Sequence, residues 1–161
     1  MATRSYAPRE RLPATKHADL MRAMFPSFRL HRRGAEFSWV GPLQPSEASA
    51  TYTVRITYSD GSIPKVYLVA PQLTAREGSN RIPHTYENGT RLCLYAPLRN
   101  EWRNTKPISL TIVPWTCLWL YYYEAWHATG EWLGGGHDPA GDSEATAAAE
   151  PGLPATAEVS I

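Results

Sequence analysis

Residues 51–70 read TYTVRITYSDGSIPKVYLVA, and this stretch decides the class of fold. Between Thr51 and Tyr58, Tyr52, Val54, Ile56 and Tyr58 alternate with Thr51, Thr53, Arg55 and Thr57, the period of two that a strand buried on one face requires. Ser59-Asp60-Gly61-Ser62 is turn chemistry, and Lys65–Ala70 reads as the partner strand. Upstream the same period recurs, with Phe28 and Leu30 set against Arg29 and His31, then Phe37 and Trp39 against Ser38. Four such segments with short links predict a four-stranded antiparallel meander. Before it, Thr15 is placed to cap a helix whose apolar residues Leu20, Met21, Met24 and Phe25 recur one turn apart until Pro26. Beyond it, Pro114 opens a second helix with Trp115, Leu118, Trp119, Tyr122 and Trp126 on one face and Gly130 at its end. A meander with one face covered by helices is an α+β domain.

The chain has 161 residues, which suits one domain, and its 14 prolines argue against a helical bundle. The divisions expected are an irregular arm over residues 1–13, a domain over 14–137, and an acidic, Ala/Pro-rich tail over 138–161 whose composition predicts disorder. Charge is unevenly placed. Eight Lys and Arg side chains precede Ala35, and none follows Lys106. The net charge is +1, and aromatic residues do not interleave with the N-terminal arginines, so no direct nucleic-acid partner is expected. The basic segment containing Arg11 and Lys16 is instead the expected docking surface for an acidic protein partner. Apolar runs fall short of the ~18 residues of a membrane helix, and the two cysteines make no disulfide framework, so a reduced, cytoplasmic setting without membrane contact is expected.

Candidate chemistry concentrates in one place. His17, His31, His84, His127 and His137 with Cys93 and Cys117 show no CxxC or HxxxH spacing, so neither a metal nor a cofactor is expected. Between Pro71 and Arg91 runs a long polar loop of the kind that often carries function. Cys93 follows it, with Arg91 and Arg99 nearby and His84 upstream, and such cations would lower a thiol pKa. Read alone, Cys93 between two leucines also fits a small buried hydrophobe, and Cys117 in the aromatic helix fits the core.

The order of these parts resembles the ubiquitin-conjugating (UBC) fold over roughly residues 15–130. The matching run is His84-Thr85-Tyr86-Glu87-Asn88-Gly89-Thr90-Arg91-Leu92-Cys93-Leu94-Tyr95, followed by Trp102. Trp39-Val40-Gly41-Pro42 is similar to the family's second strand and Gly-Pro turn. Thr85 and Tyr86 stand where the family has the Pro and Asn of its His-Pro-Asn motif, and Gly89 lies one residue further from the cysteine than usual. In the family that asparagine orients the loop and stabilises an oxyanion, a donor worth ~2.7–4 kcal/mol in other enzymes. Asn88, Asn100 and the Tyr86 hydroxyl are the alternative donors here.

The segment Tyr121–Trp132 with its following glycines resembles bacterial UBC-like proteins, above all the short stand-alone type of CBASS antiphage systems, which are built on a cyclic-oligonucleotide synthase. The resemblance implies an enzyme in which Cys93 captures the activated C-terminal carboxyl of a partner as a thioester; His84 is expected to hold the loop or to move a proton, and Tyr86 or Asn88 to stand in for the missing asparagine. It implies the synthase as that partner and a separate protein for any activation, since 161 residues leave no room for an adenylating domain. Two other readings stand beside it: a UBC-like adaptor with an inert cysteine, and a Cys93–His84 hydrolase, for which no Asp or Asn is visibly placed to orient the base.

Overall fold

The computed structural model describes residues 10–96, 99–136 and 138–139. Helix α1 (Ala14–Met24) precedes strands β1 (Arg29–Arg33), β2 (Glu36–Leu43), β3 (Tyr52–Tyr58) and β4 (Lys65–Ala70); short strands β5 (Thr85–Tyr86) and β6 (Arg91–Leu92) follow, and helix α2 (Ile112–Thr129) closes the order. This is the UBC-like arrangement of an N-terminal helix, an antiparallel sheet and a C-terminal aromatic helix.

The meander forms as the period of two demands, with β1–β4 paired antiparallel in chain order. The sheet nevertheless has six strands, in the order β1-β2-β3-β4-β6-β5. The two extra strands lie within and at the end of the loop expected to be irregular, and strands of two residues are too short to show any periodicity. Gly41 and Pro42, expected at a turn, lie inside β2 opposite Val54 and Thr53. Gly41 is there for proximity: a Cβ would fall 2.5 Å from the Phe28 ring.

Phe37, Trp39, Tyr52, Val54, Ile56 and Tyr58 face the core, while Ser38, Arg55, Thr57 and Lys65 occupy the opposite, more exposed face. Both helices cover the first face. On α1 the buried residues are Ala14, His17 and Met21; of the expected stripe Leu20, Met21, Met24 and Phe25 only Met21 is buried, and the other three are half-buried or exposed. Pro13, not Thr15, stands at the helix cap, and the Ala14 N–H is satisfied by Asp60 Oδ1 at 2.8 Å, which ties α1 to the β3–β4 turn. His17 is fully buried, accepts the Ile108 N–H on Nδ1 at 3.3 Å, and packs edge-on against Tyr58. Burial lowers its pKa below 6.5, outweighing the opposing pull of Asp60.

Helix α2 begins at Ile112, two residues before Pro114, and Gly130 ends it in the left-handed conformation at φ 84°. Its buried face runs through Ile112, Val113, Thr116, Trp119, Leu120, Tyr123 and Trp126. Leu118 is exposed, and Cys117, expected in the core, is half-buried. The reason is that almost every side of this helix is apolar, so its pattern could not show which stripe faces the sheet. Glu124 fixes the rotation by accepting hydrogen bonds from Tyr52 Oη, Ser49 Oγ and the Ala50 N–H at 2.9, 2.7 and 3.1 Å.

Candidate active site

The β5–β6 hairpin builds the site. Thr85 pairs with Leu92 and Tyr86 with Arg91, and the next rung is the Cys93 N–H donating to the His84 carbonyl at 2.9 Å. Nine residues apart in sequence, His84 and Cys93 thus become cross-strand neighbours. The connecting turn over Glu87–Gly89 is tight: Glu87 sits at φ 53° and Gly89 at φ 89°, and Thr90 Oγ1 donates to the Glu87 carbonyl at 2.9 Å.

Cys93 is buried, 5 % exposed, and its Sγ lies 3.3 Å from Tyr86 Oη. The Arg91 guanidinium lies 4.2 Å from the centre of the Tyr86 ring and pairs with Glu87 at 3.3 Å, so the phenol is held from one side. Burial raises the Cys93 thiol pKa; the Tyr86 contact and Arg91 pull the other way, the Asp138 charge adds to the rise, and the net shift is upward. The expected activation by arginines is therefore corrected: Arg91 acts on the sulfur, but burial outweighs it. Burial likewise keeps the Tyr86 phenol well above the ordinary range, so it remains protonated and able to donate.

His84 is buried and held in the left-handed region at φ 52°, a conformation costing roughly 1–3 kcal/mol for a non-glycine residue. Its backbone is secured at both ends. The N–H donates to Asp138 Oδ1 at 3.2 Å, and the carbonyl accepts Trp119 Nε1–H at 3.0 Å as well as the Cys93 N–H. The imidazole stacks on Trp132, centroids 4.5 Å apart at 23°. Asn88 lies in the Glu87–Gly89 turn, and its side chain falls outside the description. Asn100 sits at φ 52° in the turn after the cysteine.

Two hollows flank the hairpin. One of about 640 Å³ is bordered by Arg81, Tyr86 and Glu87 and does not include the sulfur. The other, of about 540 Å³, is walled by Tyr95, Trp115, Trp119, Tyr122 and Trp132 and has Cys93 on its lining. The structure brings the candidates Cys93, His84 and Tyr86 together and sets beside them Trp132, Arg81 and Asp138, which sequence reasoning had not proposed for the site. No spacing rule connects Asp138 to His84 across 54 residues, and composition had assigned Asp138 to the tail. The rest of that stretch, residues 140–161, lies outside the described residues.

The site is thus a hairpin ending in Cys93, set between an antiparallel sheet and an aromatic terminal helix. The model of the Type II CBASS E2 protein family matches residues 17–139. The chain belongs to that family. The match runs from α1 through the whole hairpin and ends just past Asp138, so it takes in every residue described at the site. No curated protein matches the chain. Membership places this CBASS E2 in an antiphage system with an E2-like fold. Among the described residues, no helix is long and apolar enough to cross a membrane, and no group of three or more His, Cys, Asp or Glu side chains could hold a metal ion.

Proposed function

We propose that this CBASS E2 is a cysteine acyl carrier: Cys93 forms a thioester with the activated C-terminal carboxyl of a partner, the cyclic-oligonucleotide synthase of its system. The observation that carries the reading is the Tyr86 hydroxyl 3.3 Å from Cys93 Sγ, beside an aromatic-lined groove that has Cys93 on its lining. The thiolate attacks the carbonyl carbon of an acyl-adenylate or thioester supplied by a separate activating protein. The S–C bond forms, the bond to the leaving group breaks, and the thiol proton passes to solvent or to a neighbouring base. Because the leaving group is already good, no strong base is needed. The neutral phenol of Tyr86 supplies the hydrogen bond to the developing oxyanion, in place of the asparagine that the resemblance leads one to expect. His84 serves through its backbone, holding the hairpin end on which Cys93 sits, and Asn88 lies in the turn that joins the two strands.

A second reading has one observation in its favour. The burial of Cys93 and its raised thiol pKa suit an adaptor whose cysteine is inert. Co-expression with the synthase and any activating protein of the system, followed by intact-mass measurement without reductant, separates the two. The carrier reading expects a species of E2 plus synthase minus one water that a thiol reductant releases. A non-covalent complex without that species supports the adaptor.

A further inference from the structure

The segment following α2 folds back onto the loop that carries the reactive candidates. Trp132 stacks on His84 and also meets Trp119 and Tyr122, with centroids 5.5 and 5.9 Å away. Gly134 passes so close to Tyr122 that a Cβ would fall 2.4 Å from its ring, which only glycine permits. Trp132 and Gly135 then share the lining of the groove with Cys93, Leu94 and Tyr95. At the far end Asp138 uses both oxygens: Oδ1 accepts the His84 N–H at 3.2 Å and Oδ2 accepts the Arg81 guanidinium at 2.8 Å.

We infer that Asp138 is a positioning residue for Cys93, and that with Trp132 it clasps the post-helix segment across the groove beside the sulfur. The linkage is continuous. Asp138 holds the N–H of His84, whose left-handed backbone directs its carbonyl to the Cys93 N–H, and so the carboxylate fixes where the cysteine stands. Arg81 keeps that carboxylate ionised: burial opposes the charged form, but the Arg81 and His84 hydrogen bonds outweigh it and lower its pKa. The same negative charge acts on the Cys93 thiol and raises its pKa, in opposition to Arg91 and alongside the burial already described. Among the described residues, the other titratable groups near the sulfur include His84, Tyr86 and Tyr95, with Glu101 and Lys106 on the lining of the same groove. A clasp of this kind holds the thiol geometrically ready and chemically quiet until a partner peptide displaces Trp132 or Asp138. The inference rests on Cys93 being the acceptor only for its biological purpose; the positioning itself is measurable without a partner.

The test is the rate at which iodoacetamide alkylates Cys93 in the full chain, located by peptide mass spectrometry across a pH series, with Cys117 as the internal reference. Asp138→Asn keeps an oxygen for the His84 N–H and removes the charge. It should shift the midpoint of the Cys93 pH–rate profile downward and raise the rate severalfold below that midpoint, with Cys117 unchanged. Asp138→Ala removes the hydrogen bond as well and should alkylate faster than Asp138→Asn; Asp138→Glu, which restores charge, should bring the midpoint back toward the wild type. Urea unfolding establishes that each variant is folded. A wild-type profile for Asp138→Asn overturns the inference, as does an Asp138→Ala rate no greater than that of Asp138→Asn. If the variants behave as expected while no synthase adduct forms on any of them, the clasp stands and the acyl-carrier reading falls.

Discussion

Trp119 joins the packing of the domain to the geometry of the cysteine loop, and two substitutions separate those contributions. Its ring stacks on Tyr123 at 5.8 Å and 7°, leans on Trp132, and sends its Nε1–H to the His84 carbonyl at 3.0 Å. Trp119→Ala empties a buried site and should cost about 3–5 kcal/mol, a large share of the roughly 5–15 kcal/mol that holds a domain of this kind together. Trp119→Phe keeps most of the packing and loses the hydrogen bond. The His84 carbonyl still accepts the Cys93 N–H, so it is not left orphaned, and the bond's share should be the net value of about 0.5–1.5 kcal/mol rather than a full desolvation cost. Urea denaturation read by fluorescence and circular dichroism at constant m-value gives both numbers. Cys93 alkylation provides the local readout and should accelerate in Trp119→Phe, because the strained His84 turn loses one of its ties. A Trp119→Ala change within about 0.5 kcal/mol of the wild type would refute the placement of Trp119 in the core.

Tyr86→Phe removes the hydroxyl beside the sulfur and should slow acylation of Cys93 by about 10²-fold or more with the fold intact; an acylation rate within twofold of the wild type removes Tyr86 from the chemistry. His17 predicts a pH dependence of stability. Its folded pKa lies below 6.5, so the stability linked to its neutral form is complete above that pH and is lost as pH falls through 6.5 toward the folded value. Between pH 6.5 and 5.5 that loss is at most about 1.4 kcal/mol, and His17→Gln should flatten this part of the curve; an equal slope in both proteins contradicts the assignment. Arg11 and Lys16 are exposed on and before α1, and reversing both to Glu should weaken synthase binding in a salt-dependent way, as measured by calorimetry at two ionic strengths. Unchanged binding at low salt moves the interface elsewhere.

The strands were legible because β2 and β3 bury one face only, and a half-buried strand writes its orientation into alternate residues. Helix α2 was legible in extent but not in rotation: with Trp115, Leu118, Tyr121 and Tyr122 all apolar or aromatic, the side facing the sheet is chosen by Glu124 and by shape. On α1 the buried stripe passes through a histidine, which reads as polar in sequence and is accepted in the core because the Ile108 N–H meets its Nδ1. The site was visible as far as a loop and a cysteine. Its electrostatics were not, because sequence proximity of Arg91 and Arg99 says nothing of the burial that dominates the Cys93 thiol. Asp138 and Trp132 were hidden for a simpler reason: their partners lie 54 and 48 positions earlier, and a turn after a helix carries no periodicity to announce where it folds back.

The claim on which the account depends is that Cys93 alone accepts the partner's carboxyl, and the nature of the bond tests it most directly. The wild-type chain, Cys93→Ser, Cys93→Ala and Cys117→Ala are each co-expressed with the synthase and its activating partner, and intact masses are recorded before and after treatment with a thiol reductant. The wild type and Cys117→Ala should carry a synthase adduct that the reductant releases, Cys93→Ser an oxyester adduct that survives it, and Cys93→Ala none. An adduct of the same mass on Cys93→Ala contradicts the account, as does its absence from wild type while non-covalent binding persists.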